Sequence, residues 1–249
     1  MGTRGLVDQI AELIGTEIVS GHLPAGSSLP NEADWCESLG VSRTVLREAV
    51  SALASKGLIE TKPRVGGRVR PRERWHRLDP AMLRWQLAAG PDEVFLTELF
   101  ELRRLIEPAA AALAAERAEP LHIRELEAAY ADMVAASDNG DGFLAADSRF
   151  HQTILGAVGN GMIKALSAVV STAIDLSLGL SLGVPEGQSH SLPLHRAVLD
   201  AIAARVADAA REAMLHLIDQ AETDGRRALL QSRSRTAHGK SQRPNRSSR

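Results

Sequence analysis

Residues 29–71 read LPNEADWCESLGVSRTVLREAVSALASKGLIETKPRVGGRVRP, and the turn and cap residues in this stretch decide how the N-terminal part folds. Pro30 and Asn31 form a helix start signal. Ser42 is placed to cap a further helix, SRTVLREAVSALASKG, in which Val45, Ala49, Ala52 and Leu53 share one face and Gly57 marks the stop. LIETKP and GGRVRP then carry short strand patterns around a glycine-containing turn. Upstream, Leu6, Ile10, Leu13, Ile14 and Ile18 recur at helical spacing until SGHLPAG, where Gly and Pro end the helix. Helix, helix, turn, helix, hairpin is the order of a winged helix-turn-helix.

The charge of this segment points to its partner. The whole chain of 249 residues has a formal net charge of -2. Between Arg43 and Arg74, however, stand 9 Lys and Arg against the 3 acids Glu48, Glu60 and Glu73. A local basic field inside a neutral total suits a polyanion bound by that segment alone. Arg43 and Arg47 are four apart and so neighbours on one helix face. At the N-terminal end of a helix entering a major groove, an Arg can donate a bidentate pair to guanine, and Ser42 or Thr44 can bind phosphate or base. Ordinary solvated arginines are the alternative reading.

From about Leu78 the pattern is helical throughout, with candidates at Pro80 to Ala89, Asp92 to Ala118, Pro120 to Ser137, Gly142 to Val158, Met162 to Leu182, Leu192 to Arg205 and Ala207 to Leu230. Alanine-rich composition and short connections predict an antiparallel bundle. The fold class is therefore mainly α: a winged helix-turn-helix over 1–73, a linker over 74–91, an antiparallel α-helical bundle over 92–230, and a disordered basic tail over 231–249, which has no apolar periodicity. That tail is either dispensable or an extra phosphate-binding arm. Cys36 is the single cysteine, which excludes an internal disulfide and an all-cysteine metal site. Asp8 and Glu12 interrupt the apolar core that a signal peptide needs. Lys164 and Asp175 do the same within the longest apolar run, 161–184, so a membrane span is not expected there and a cytoplasmic location is.

In the bundle, GFLAADSRFHQTILGAV sets Asp147 and His151 four apart on the stripe of Leu144, Ile154 or Leu155, and Val158. Facing the interior, they can satisfy each other as a hydrogen-bonded pair. They can equally be two ligands of one metal ion, since this spacing converges both side chains. His195 opens a helix with Val198, Leu199 and Ile202 in phase behind it, and His216 lies in the last helix. Three histidines and one aspartate from three helices of one bundle suit a divalent cation such as zinc, nickel or manganese, with open positions for a small molecule's carboxylate or hydroxyl.

The string from Leu29 to Pro71 resembles the DNA-binding domain of the GntR superfamily of bacterial regulators over its whole length. The resemblance implies that Ser42, Arg43, Thr44 and Arg47 contact double-stranded operator DNA. It also implies that Gly66 or Gly67 lets the wing approach the minor groove, with Arg64 and Arg68 as phosphate contacts. Many relatives carry Arg at the place of Ala33, so one expected contact is missing. Two related half-sites need two copies, and a homodimer is expected.

The stretch from about Thr97 to Leu230 is similar to the effector domain of FadR-type members, through ELRRLIEPAAAALAAERA, the Asp147 to His151 spacing and HRAVLDAIAARVADAAREAM. In metal-dependent members the Asp and three His hold the ion, which implies that role for Asp147, His151, His195 and His216. The family sets its last His three residues after the Met. Here His216 is two after Met214, and Leu217 occupies the third place. Arg103, from the family's Glu-x-Arg with Glu101, is implied to bind a carboxylate effector; the alternative is a salt bridge to Glu107. Arg104 reads as a surface charge. RPRERWHRLDPAMLRWQL, with Trp75 and Trp85, most resembles members that answer to sugar acids of the galactonate-responsive type. The expected function is a ligand-released transcriptional repressor. No nucleophile motif, His-Glu-x-x-His or phosphate loop supports the alternative of a metal-dependent enzyme, and a DNA-binding architectural protein without effector is the other alternative.

Overall fold

The computed structural model describes every residue except 1–2, 63–65, 91–92, 138, 182–186 and 242–249. The chain divides into two compact units, 1–91 and 92–249.

In the first unit, α1 (Thr3–Ser20), α2 (Glu32–Leu39) and α3 (Arg43–Ser55) precede a hairpin of β1 (Ile59–Lys62) and β2 (Gly66–Val69). Asn31 caps α2 by accepting from the Ala33 amide at 2.8 Å. Gly40 ends α2 in the left-handed region, at φ +65°, its amide bonded back to the carbonyls of Cys36 and Glu37, a conformation that costs a residue with a side chain. Ser42 then caps α3, its hydroxyl accepting from the Val45 amide at 3.3 Å. The antiparallel register pairs Ile59 with Val69 and Glu60 with Arg68. The core joins Ile10, Ile14 and Ile18 to Leu46, Leu53, Leu58 and Val69. Leu46 is buried beside the expected Val45, Ala49 and Leu53, while Ala52 is only half-buried.

The stretch 74–91, expected as a linker, is part of this unit. After a 3-10 turn (Arg72–Arg74), α4 (Pro80–Ala88) packs against α1, and Trp75, Met82 and Trp85 belong to the same buried core. Indole and thioether surface of this size is costly to leave in water, which explains why the segment is drawn in. Polar bonds secure it: Trp75 Nε1 donates to the Arg70 carbonyl at 2.9 Å, and Lys56 Nζ donates to both oxygens of Asp79 at 2.9 and 2.8 Å. Asp79 also caps α4. Trp85 lies directly on Gly15, where an added Cβ would come within 2.6 Å of the indole.

The second unit is an all-helical bundle: α5 (Glu93–Arg117), α6 (Pro120–Ala135), α7 (Gly140–Ala157), α8 (Gly161–Ser181), α9 (Gly187–Ala203) and α10 (Ala207–Ser241). α10 packs on α5 and α9, α6 on α7, and α7 on α8 and α5. Two boundaries differ from expectation. α9 starts before Pro193, whose lost amide bond is offset by Leu192 and Leu194 packing on the core. α10 runs on to Ser241, into the stretch expected to be disordered, because extending a formed helix is far easier than nucleating one. Residues 242–249 of the expected tail lie outside the described residues. No helix among the described residues is long and apolar enough to cross a membrane.

The Trp85 contact gives a test of the first unit. Gly15→Ala should gain helix propensity yet lower stability by about 1–3 kcal/mol through overpacking. Trp85→Leu in the same chain should remove most of the cost of the Gly15→Ala change, as read by urea denaturation of the two single variants and the double variant.

Candidate functional site

Two groups of polar residues stand out, one exposed and one buried. On the exposed edge, the cap at Ser42 sends Arg43, Thr44 and Arg47 into solvent at the start of α3. Ser42 uses its hydroxyl on the backbone. Glu32, at the first position of α2, holds both arginines: Arg47 Nε donates to Oε2 at 3.0 Å, and Arg43 Nε lies 3.8 Å from Oε1. Both arginine side chains remain 70% exposed. Sequence reasoning missed Glu32, although a carboxylate in the first turn of α2 suits the helix dipole. Arg68 is exposed on β2, opposite Glu60. Arg64 lies outside the described residues. Gly66 opens β2. Gly67 has a local reason to be glycine: its carbonyl accepts from the Leu29 amide at 2.8 Å, and a Cβ would collide with the Leu29 side chain. Ala33 is exposed in the first turn of α2.

The buried group lies within the bundle. Arg103 and Glu107 come from α5, Asp147 and His151 from α7, Ser177 from α8 and His195 from α9, and none is more than 2% exposed. The stripe on α7 is Phe143, Asp147, Phe150, His151 and Ile154, with Leu144 only half-buried. Phe150 meets both imidazoles edge to face, at 5.9 and 5.2 Å between centroids. Asp147 Oδ1 lies 2.8 Å from His195 Nε2, and Oδ2 lies 3.7 Å from His151 Nε2.

His195 Nδ1 is 2.9 Å from the Ser191 carbonyl, which can only accept. The proton of a neutral His195 therefore sits on Nδ1, and the lone pair of Nε2 faces the Asp147 carboxylate. Two lone pairs in contact require a cation, supplied by a second proton on the ring or by a metal ion. Neither His195 Nε2 nor Asp147 Oδ2 has an aligned hydrogen-bond partner. Donor atoms each about 2.1 Å from one zinc ion, roughly at right angles or wider, lie about 3 Å or more apart. One donor atom from each of Asp147, His151 and His195 falls within 4.8 Å of the others, close enough for small side-chain shifts to bring all three onto one divalent ion.

His216 does not join them. It is exposed on α10, whereas Met214, Leu217 and Ile218 are buried. Each residue turns a helix by about 100°, so bringing His216 inward would expel Leu217 from the core.

Arg103 is beside the centre and makes the salt bridge weighed from sequence. Nε donates to Glu107 Oε1 at 2.7 Å, Nη2 to Oε2 at 3.4 Å, and Nη1 to Ser177 Oγ at 2.6 Å. Glu107 Oε2 is also 2.8 Å from His151 Nδ1, although out of line with the ring N–H. Burial opposes ionisation of Glu107, but the charges of Arg103 and His151 prevail and lower its pKa to about 2. Burial likewise opposes ionisation of Asp147, and His195, followed by His151 and Arg103, holds it below the usual range. Burial, and then the charge of Asp147, pushes half-buried Asp175 the other way, above the usual range. Arg104 is more than a surface charge: it pairs with Asp219 and Glu222, while Arg226 joins Glu222 to Thr97, tying α5 to α10.

Two outcomes follow from this geometry. Glu107 and Asp147 have lower pKa values folded than unfolded, so the stability they contribute is present above about pH 4.3. It is lost as pH falls toward the folded value, about 2 for Glu107. Urea unfolding of the metal-free chain should show that decline, and Glu107→Gln should remove part of the slope. At α10, His216→Ala should shift stability by less than about 0.5 kcal/mol. Leu217→Ala should cost about 2–5 kcal/mol in the same measurement.

Comparison with known proteins matches a family to each of the two units. Residues 6–69 match the model of bacterial regulatory proteins of the gntR family, and residues 98–220 match the FCD domain. The chain is 35% identical over 217 residues to the galactonate operon transcriptional repressor of Escherichia coli, across 87% of this chain and 95% of that protein. It is 28% identical to the Glc operon transcriptional activator of the same species, across 89% and 86%. Among solved structures, that of Lar, which controls the expression of the Listeria monocytogenes agr system, shares the fold with a TM-score of 0.65. That match has 17% identity and covers 89% of this chain and 96% of the other. The chain belongs to the GntR family of bacterial regulatory proteins, with an FCD domain as its second unit, and is a transcriptional regulator and not an enzyme.

Proposed function

We propose that the chain is a ligand-responsive repressor, acting as a homodimer in the cytoplasm and released from operator DNA by a small carboxylate such as a sugar acid. The observation that carries the sensing half is the lone pair of His195 Nε2 set against Asp147, which calls for a cation. Asp147, His151 and His195 would hold a divalent metal ion, zinc or otherwise nickel or manganese. Bound there with three protein ligands, the ion would supply Lewis acidity and open coordination positions to a carboxylate or hydroxyl. Arg103 adds a buried guanidinium beside the same centre, suited to an anionic effector. The similarity to a galactonate operon repressor favours a sugar acid within that class.

On the DNA side, Arg43, Thr44 and Arg47 stand at the exposed start of α3, where a helix N-terminus enters a major groove. Arg68, Arg64 and the wing glycines Gly66 and Gly67 would follow the adjoining backbone, with Ser42 holding the turn. Two copies would read two half-sites. The effector must favour one arrangement of the dimer over the other, since only differential affinity shifts such an equilibrium.

The test is operator binding by fluorescence anisotropy, using a site selected from random DNA, with zinc and a panel of sugar acids including galactonate. At least one acid should weaken binding about 10-fold or more, a coupling of about 1.4 kcal/mol. No change with any of them in the presence of metal would sink the inducible reading. Arg47→Ala should cost about 1–3 kcal/mol of operator affinity. Asp147→Ala should abolish metal binding and the response while DNA binding persists.

A further inference from the structure

We infer that Glu107 is a positioning residue of the metal centre, fixing the ring of His151 so that Nε2 is the nitrogen offered to the ion. The inference rests on the metal reading above and adds a residue outside the ligand set. A ligating imidazole binds through one nitrogen and gives its other N–H to an acceptor that sets tautomer and orientation. For His195 that acceptor is the Ser191 carbonyl, 2.9 Å from Nδ1. For His151 the oxygen beside Nδ1 is Glu107 Oε2, 2.8 Å away though out of line with the ring N–H, while Nε2 is the nitrogen nearer Asp147, at 3.7 Å. Both rings thus set Nδ1 beside an acceptor and turn Nε2 toward the same carboxylate.

The position of Glu107 also speaks against a carboxylate that serves only to neutralise Arg103. Such a group is best placed with both oxygens equally close to the guanidinium fork, and the pair here is bidentate but lopsided. Here Oε1 takes Nε at 2.7 Å, but Oε2 is 3.4 Å from Nη2 and 2.8 Å from the imidazole. Oε2 leans away from the arginine and toward the histidine. Arg103, itself anchored to Ser177 at 2.6 Å, holds the carboxylate from behind. His151 is thereby oriented by side chains from α5 and α8 as well as by its own helix.

The test uses the full-length chain, stripped of metal, and zinc as the probe, with affinity read by competition against a chromophoric chelator. Glu107→Gln should weaken zinc binding by about 10- to 100-fold. The same change should have no further effect in a His151→Ala background and should keep its full effect in a His195→Ala background. A purely structural role would weaken zinc binding equally in both backgrounds, and that result would overturn the inference. So would a Glu107→Gln chain that binds zinc as the wild type does. If Glu107→Gln does not fold, the histidine-ring nitrogen spectrum of the zinc-loaded wild type decides: a protonated Nδ1 and ligated Nε2 on His151 is expected, and the reverse assignment refutes it. A wild-type chain that binds no zinc, nickel or manganese would remove the metal reading itself, and this inference with it, before any variant is made.

Discussion

An ionised carboxylate within an apolar helical bundle is the constraint around which the second unit is organised. Isolated, Asp147 would lose several kcal/mol of hydration on burial. Its charge is sustained by His195 in contact, His151 on the next turn, and Arg103 further away. Arg103 is a buried charge in turn, compensated by Glu107, which also meets His151. The result is a closed set of charges from α5, α7 and α9, with a hydroxyl from α8, in which each member relieves the desolvation of another. Phe150 meets both imidazoles edge to face, and the apolar surroundings keep these interactions strong by excluding water.

Much of this arrangement was legible in the residues. The Asp147 to His151 spacing and the phase of His195 with Val198, Leu199 and Ile202 placed three ionisable groups inward, and all three are buried together. Cap residues did the same for the winged unit, since Asn31 and Ser42 act through local backbone bonds that depend little on the rest of the fold. Glu107 and Glu32 were harder to see as site residues. Each acts across space on a side chain from another helix, and a sequence records spacing along one helix only. Arg104 failed for the same reason, because its partners Asp219 and Glu222 lie more than a hundred positions away.

His216 shows how firmly packing fixes register. A histidine one position from the expected place could reach the centre only if α10 rotated, and Met214, Leu217 and Ile218 are each almost wholly buried on the face that would have to turn out. Among the described residues, three side chains could therefore reach one ion, and an ion held by three would keep positions open for exchange with a small molecule.

The seating of Trp85 on Gly15, with Trp75 and the Lys56 to Asp79 pair, has a consequence for how the protein can be divided. A cut at residue 73, where the helix-turn-helix pattern ends, would strip two indoles from the core of the first unit and leave Gly15 and Lys56 facing empty space. A DNA-binding fragment that keeps its own interior extends through α4, and a chimaera grafting this reader onto another sensor is best joined after Ala89.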